Sequence, residues 1–145
     1  MEHVEYPDLE TWEERRRWFE RLEESRGRAG AASDLSEQAC ALMYDLQAVY
    51  CAGAWAATVI LAGIVADSQA SYGEASPALR RDLAWLRRER NVLAHENPRE
   101  PAFTIEDQWT NRRHWEQKAK RAVAIALSAI YPGGAAEAER VSRAS

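Results

Sequence analysis

Apolar residues recur every three or four positions along most of this chain, and no segment alternates apolar and polar residues as a surface strand would. The pattern predicts an all-α fold, an up-and-down bundle of four to six helices. The predicted helices cover residues 8–26, 34–66, 78–97 and 104–129. Gly53 is a candidate break within the second of them, because glycine weakens a helix interior.

The starts of two of these helices are marked by residues that favour capping. Asp34 with Glu37, and Thr104 with Asp107, fit the capping-box pattern, in which two residues three apart bond each other's backbone N–H groups. The glycine- and proline-containing segments between helices are predicted at residues 27–33 and 71–77.

No charged residue occurs between Leu46 and Ala66, a stretch long enough to cross a bilayer as a helix. The stretch is rich in alanine and glycine and has no lysine or arginine at either end, which is atypical of a membrane span. We expect the central helix of a bundle and no membrane association, with a transmembrane helix as the alternative. The acidic, polar N-terminus does not resemble a signal peptide, so we expect a cytoplasmic protein.

The formal net charge of −4 argues against a surface coated for nucleic acid. Its distribution is uneven, because residues 80–121 hold eleven basic residues against seven acidic ones. Cys40 and Cys51 lie in apolar surroundings, without a Cys-x-x-Cys pair or a nearby histidine. We expect both to be small buried residues, and we expect neither a metal ion nor a cofactor.

The helix predicted over residues 78–97 carries an arginine on its apolar face. At about 100° per residue, Arg90 falls within a stripe of leucines. The stripe consists of Leu79, Leu83, Leu86 and Leu93. An unpaired guanidinium is costly there, so the plain interpretation is a buried ion pair or a side chain that extends to solvent. Asp67, the first charge after the uncharged stretch, is the best-placed partner.

A basic line lies on the other side of the same helix. Arg81, Arg88 and His95 follow one another at seven-residue intervals, which keeps them within about 20° of each other. Trp85 and Val92 run beside this line. Apolar side chains next to basic ones suit a surface that contacts RNA or a partner protein, and a solvated helix face is the alternative.

The segment Arg90-Asn91-Val92-Leu93-Ala94-His95 resembles the signature of the HEPN family, an Arg-Asn pair with a histidine five positions after the arginine. The small-residue-rich helix that ends at Asp67 and the closing helix after Thr104 are similar to elements of that family. The resemblance covers residues 34–131. Residues 1–33 are then an N-terminal helix and loop packed on this bundle, and residues 132–145 are a polar C-terminal tail.

The resemblance implies a metal-independent endoribonuclease that acts as a homodimer on an RNA substrate, in toxin–antitoxin or phage-defence systems. It implies that His95 exchanges protons with the ribose 2′-OH and the leaving oxygen, a role that suits an imidazole. Arg90 would stabilise charge on the scissile phosphate, Asn91 would orient the histidine or the phosphate, and Asp67 would position Arg90. Some family members are non-catalytic, so a helical interaction or scaffold module is the alternative.

The spacing of Arg90 and His95 sets a condition on such a site. On one straight helix they point about 140° apart. Either the helix distorts, or the Arg90 side chain bends round, or a second chain supplies one of the two residues. Asn97 stands where some family members carry a tyrosine that an antitoxin modifies. The resemblance therefore leaves two alternatives, an antitoxin protein of another kind or no antitoxin.

Overall fold

The computed structural model describes residues 6–29, 35–69, 75–133 and 144 of the chain. These residues form six α-helices in the order α1 (Leu9–Ala29), α2 (Glu37–Ala52), α3 (Trp55–Ser68), α4 (Pro77–Ala94), α5 (Ile105–Trp109) and α6 (Arg112–Ile130). The described part of the chain contains no strand. The predicted all-α class is therefore confirmed, and the number of helices falls within the predicted range.

The helix α3 lies at the centre of the bundle and packs against α2, α4 and α6. It carries no charged residue before Asp67, and a helix that is apolar on all sides must be surrounded by others. Val59, Ala62 and Val65 of α3 are fully buried. The helix α6 contributes small buried residues of its own, Ala119, Ala122 and Ala126. Small side chains let the helix axes approach closely, which builds one continuous core.

The helix α1 packs on α2 and α6 and adds Phe19 to the common core, where its ring centroid lies 6.1 Å from that of Tyr50. Asp8 caps α1 by accepting a hydrogen bond of 2.8 Å from a backbone N–H of the first turn. The helix continues past Gly27, because one glycine costs a helix only about 1 kcal/mol. The helix therefore extends three residues beyond its predicted end at residue 26, and residues 30–34 of the chain lie outside the described part.

The predicted break at Gly53 is confirmed by the geometry of the α2–α3 corner. Gly53 has a φ of 77°, in the left-handed region that a residue with a Cβ rarely adopts. Its N–H donates to Tyr50 O at 3.0 Å, and the Ala54 N–H donates to Val49 O at 2.9 Å, the bond pair of a Schellman cap. The uncharged stretch is thus two helices, and none of the helices in the described ranges has the length and apolarity to span a bilayer.

The start of α2 differs from the prediction. Ser36 is the cap, with its hydroxyl accepting a hydrogen bond of 3.1 Å from the Ala39 N–H, whereas the predicted cap, Asp34, lies outside the described residues. The expectation that both cysteines are buried is also wrong for one of them. Cys51 is buried, but Cys40 is exposed, because it is turned by about 100° from the buried Ala39.

The final predicted helix is interrupted. The capping box of Thr104 and Asp107 is confirmed, but the helix that it starts, α5, is short and α6 begins only after Asn111. The Asn111 side chain donates a hydrogen bond of 3.0 Å to the Asp107 carboxylate. Asparagine in such a bond competes with the helical backbone, and Asn111 has a non-helical ψ of 20°.

The helix α4 begins after the cap Ser76 and ends three residues before the predicted end at residue 97. The Asn97 side chain accepts a hydrogen bond of 3.2 Å from the Arg99 N–H, and its carbonyl accepts one of 3.0 Å from the Glu100 N–H. Because Asn97 organises a turn of its own, the chain leaves the helix earlier than Pro98 alone requires. Residues 71–74 of the predicted turn, and residues 134–143 and 145 of the predicted tail, lie outside the described part.

Candidate functional site

Arg90 lies on the inward face of α4, in line with the buried residues Leu79, Leu83 and Leu86. Its Nη2 atom is 3.1 Å from Oδ2 of Asp67, near the end of α3. The side chains of Arg90 and Asp67 are 26% and 30% exposed, so the pair sits at the edge of the core. The ion pair predicted between these two residues is confirmed.

Gly63 provides the space that Arg90 occupies. A Cβ atom at Gly63 would lie 3.0 to 3.1 Å from Cβ, Cγ and Cδ of Arg90, closer than carbon atoms ordinarily pack. The glycine therefore lets the aliphatic part of Arg90 lie directly on α3, and Asp67 receives the guanidinium one turn later. Arg90 Nε is buried and has no hydrogen-bond acceptor among the described residues, so the guanidinium keeps an unused donor.

Asp67 also binds a second arginine, which sequence reasoning missed. Arg87 Nη2 lies 3.1 Å from Oδ1 of Asp67, so each carboxylate oxygen holds one guanidinium. Two cations face one carboxylate, which leaves this group of three side chains with a net charge of plus one. The signal that could have found Arg87 is its position three residues before Arg90, since side chains at that spacing are neighbours on a helix.

The two acids of α4 are held by α6. Glu89 accepts a hydrogen bond of 2.8 Å from Lys118, and Asp82 lies 3.4 Å from Arg121. The Arg121 guanidinium also covers the ring of Trp85, with its central carbon 3.9 Å from the ring centroid. Trp85 is therefore half-buried, and one face of its ring is covered from within the chain.

Within α4 and its C-cap, all of which the structure describes, the outward side carries basic residues and no acid. This outer face consists of Arg80, Arg81, Arg88, Asn91, Val92 and His95, all exposed. The predicted basic line of Arg81, Arg88 and His95 thus lies in solvent, with Val92 beside it. Because Asp82 and Glu89 are turned towards α6, no carboxylate of α4 offsets the guanidinium groups of the outer face.

His95 is the residue at which α4 ends. Its N–H still donates to Asn91 O at 2.9 Å, but its φ of −123° and ψ of 92° are extended. The helical rotation per residue therefore stops applying at His95, and the angle of about 140° from Arg90, which assumes a straight helix, does not hold there. The exposed side chains of His95 and Asn91 form no hydrogen bond with the described residues.

The structure brings Arg90, Arg87 and Asp67 together. His95 follows Arg90 by five residues, which corresponds to about 7.5 Å along an ideal helix axis. Trp85 is turned to α6, away from these residues. No group of three or more His, Cys, Asp or Glu side chains in the described ranges could hold a metal ion. Comparisons of the chain with protein-family models, with curated proteins and with solved structures found no match.

Proposed function

We propose that this chain is a metal-independent endoribonuclease of the HEPN type, with a toxin or defence role, that cuts RNA at a site composed of residues from two copies. The observation that supports this most is the setting of Arg90. Its guanidinium is anchored by Asp67 on the inward side of α4, and the outer face of the same helix has no acid and ends at exposed His95. An anchored cation and a free imidazole are the two groups that phosphoryl transfer requires, since the first stabilises charge and the second moves protons.

In the proposed reaction the ribose 2′-oxygen attacks the adjacent phosphorus, and His95 exchanges protons with the 2′-OH and the leaving oxygen. The bond from phosphorus to the 5′-oxygen breaks, and that oxygen takes up a proton. The products are a 2′,3′-cyclic phosphate and a 5′-hydroxyl, and attack by an internal hydroxyl group requires no metal ion. Arg90 stabilises the charge on the non-bridging oxygens through its planar fork, and Asn91 orients the histidine or the phosphate.

A single chain leaves this site incomplete. Arg90 lies on the inward side of α4 against α3, whereas His95 is exposed at the end of α4 and forms no hydrogen bond with a described residue that would orient its imidazole. A two-fold pairing of α4 with a second copy would set the His95 of one chain beside the Arg90 of the other. Homodimerisation is therefore part of the proposal.

Cleavage of a structured RNA by the purified protein in excess chelator tests the assignment. We expect products with cyclic phosphate ends from the unaltered chain, and no cleavage by His95→Ala or Arg90→Ala, each still a folded dimer. Arg90→Ala is expected to fold because Asp67 keeps Arg87 as its partner. The matched control is His114→Ala, since His114 is exposed on α6 and has no assigned role.

Mixing the two inactive variants tests whether the site is composite. In a heterodimer of His95→Ala with Arg90→Ala, one of the two sites combines an intact Arg90 with an intact His95. Half of the dimers in an equal mixture are heterodimers, so about a quarter of the activity should return. No recovery, in a mixture shown to exchange subunits, would contradict a site divided between chains.

Two results would overturn the proposal. Full activity of either His95→Ala or Arg90→Ala would rule out the assigned catalytic site. RNA that stays intact at high concentrations of the unaltered protein would instead favour the non-catalytic interaction module, for which exposed Val92 and the arginines of the outer face would form the contact surface.

A further inference from the structure

Two arginines meet at the α2–α3 corner, away from the site described above. Arg15 comes from α1 and Arg112 from α6. Arg15 Nη1 donates to Cys51 O at 3.1 Å, and Arg112 Nη2 donates to Gly53 O at 2.8 Å. Both guanidinium groups thus bind carbonyl oxygens at the C-terminal end of α2, where the helix leaves such oxygens unpaired.

The two cations lie close to each other without a carboxylate between them. A Cβ atom on Gly53 would be 2.9 Å from Arg15 Nη1 and 3.1 Å from Arg112 Nη2, so these nitrogens are no more than 6.0 Å apart. Asp8 and Glu116 act on the pair electrostatically, but no described carboxylate forms an ion pair with either arginine. Burial, and then the charge of Arg15, lower the pKa of Arg112.

Trp55 supports both guanidinium groups. The central carbons of Arg15 and Arg112 lie 4.7 and 5.7 Å from the centroid of its buried ring. A guanidinium has five N–H donors. Arg15 uses one of these donors, in its bond to Cys51. Arg112 uses two, in its bond to Gly53 and in a bond of 3.2 Å to the Gln108 side chain. The remaining donors of two positioned cations are thus available at a corner where Ala54 is exposed.

We propose that this corner binds a phosphate group, free or as part of a small phosphate ester, between Arg15 and Arg112. An anion there removes the repulsion between the two cations and takes up their unused donors. The planar fork of arginine matches the oxygens of a phosphate. The corner is about 18 Å along α3 from Asp67, so it is a separate site and does not depend on the proposed function.

Titration of the full chain with inorganic phosphate at constant ionic strength, in excess chelator and without RNA, tests the proposal. We expect the side-chain Nε–Hε NMR signals of Arg15 and Arg112 to shift and saturate together. We also expect the melting temperature to rise by roughly 3–6 °C at about twenty times the dissociation constant. Acetate, with one fewer charge and fewer oxygens, should cause a smaller shift at the same concentration.

Variants separate specific binding from the general stabilisation that phosphate gives proteins. Arg112→Lys keeps the charge but loses the fork and should lose most of the rise, whereas Arg113→Gln, at an exposed neighbouring position, should keep it. If Arg112→Lys does not fold, the NMR titration of the unaltered chain shows by itself whether phosphate binds at the two arginines. The proposal would be overturned if neither arginine showed saturable shifts up to about 50 mM phosphate, a concentration at which even weak binding would be detected. Equal shifts with acetate would overturn the choice of phosphate.

Discussion

Arg90 Nη2 lies 3.1 Å from Asp67 Oδ2, and the aliphatic part of Arg90 covers Gly63, one helical turn before Asp67. A charged side chain can enter this apolar contact because the facing helix supplies both the room and the opposite charge. Two residues of α3, four positions apart, therefore determine where the guanidinium of α4 is held.

A double-mutant cycle measures what this pair contributes. Asp67→Asn and Arg90→Gln should show a coupling free energy of about 1 kcal/mol in urea unfolding, because the pair is only partly exposed. The matched cycle with Arg87→Gln should give less than about 0.5 kcal/mol, since the Arg87 side chain is 48% exposed and better screened by water. Equal couplings in the two cycles would show that burial does not distinguish the two arginines.

Substitution of two helical glycines by alanine should have opposite effects. Gly27→Ala in α1 should stabilise the protein by about 0.5 kcal/mol, because alanine favours helix and the new Cβ would meet only an ordinary contact of 3.7 Å with Tyr131. Gly63→Ala should destabilise it by about 1–2 kcal/mol, because overlap with Arg90 outweighs the same helical gain. The urea midpoints of both variants check this, and a stabilising Gly63→Ala would contradict the close packing of Arg90 on α3.

The capping box of α5 should make stability depend on pH. Hydrogen bonds from Asn111 and then from Thr104 lower the pKa of Asp107 to about 2, whereas its ordinary value is 3.8. A carboxyl group with a lowered pKa in the folded state stabilises that state above its unfolded pKa and loses this effect as the pH falls through the folded value.

Asp107→Asn should therefore cost about 1 kcal/mol at pH 7, and the difference from the unaltered chain should shrink below about pH 4 and vanish only below about pH 2. Urea unfolding across this pH range is the measurement. Glu106→Gln, at the exposed neighbouring position, should stay within about 0.5 kcal/mol of the unaltered chain throughout. A difference for Asp107→Asn that does not change with pH would assign the effect to the shape of the side chain alone.

If RNA binds to the outer face of α4, removing an arginine from that face should weaken the salt dependence of RNA binding. In a His95→Ala background that leaves RNA uncut, Arg81→Gln and Arg88→Gln should each reduce the slope of log K against log salt concentration by about 0.7, the value for one phosphate contact with a single strand. Arg28→Gln serves as the control, because that side chain is 79% exposed on α1 and pairs with Glu24. If the three variants showed the same salt slope, the RNA would not contact Arg81 or Arg88 of the outer face.

Local sequence signals predicted much of the fold. They failed where side chains form hydrogen bonds that the periodicity of apolar residues does not indicate. The break at Gly53 and the cap at Thr104 depend on residues next to each other in the chain, so both were predictable. The interruption after Trp109 follows from the bond between Asn111 and Asp107, and the early end of α4 follows from the turn at Asn97. Periodicity alone continues a helix through both places.

The sequence by itself determined the helical class, the inward position of Arg90 and the basic character of the outer face, because these follow from spacing along single helices. It also indicated Asp67 as the partner of Arg90. Only the tertiary structure decided that Arg87 shares that carboxylate, that Gly63 makes the room, and that Arg121 covers Trp85. Those relationships join residues of different helices, and the relative rotation and height of two packed helices are set by the whole core, which no local pattern specifies.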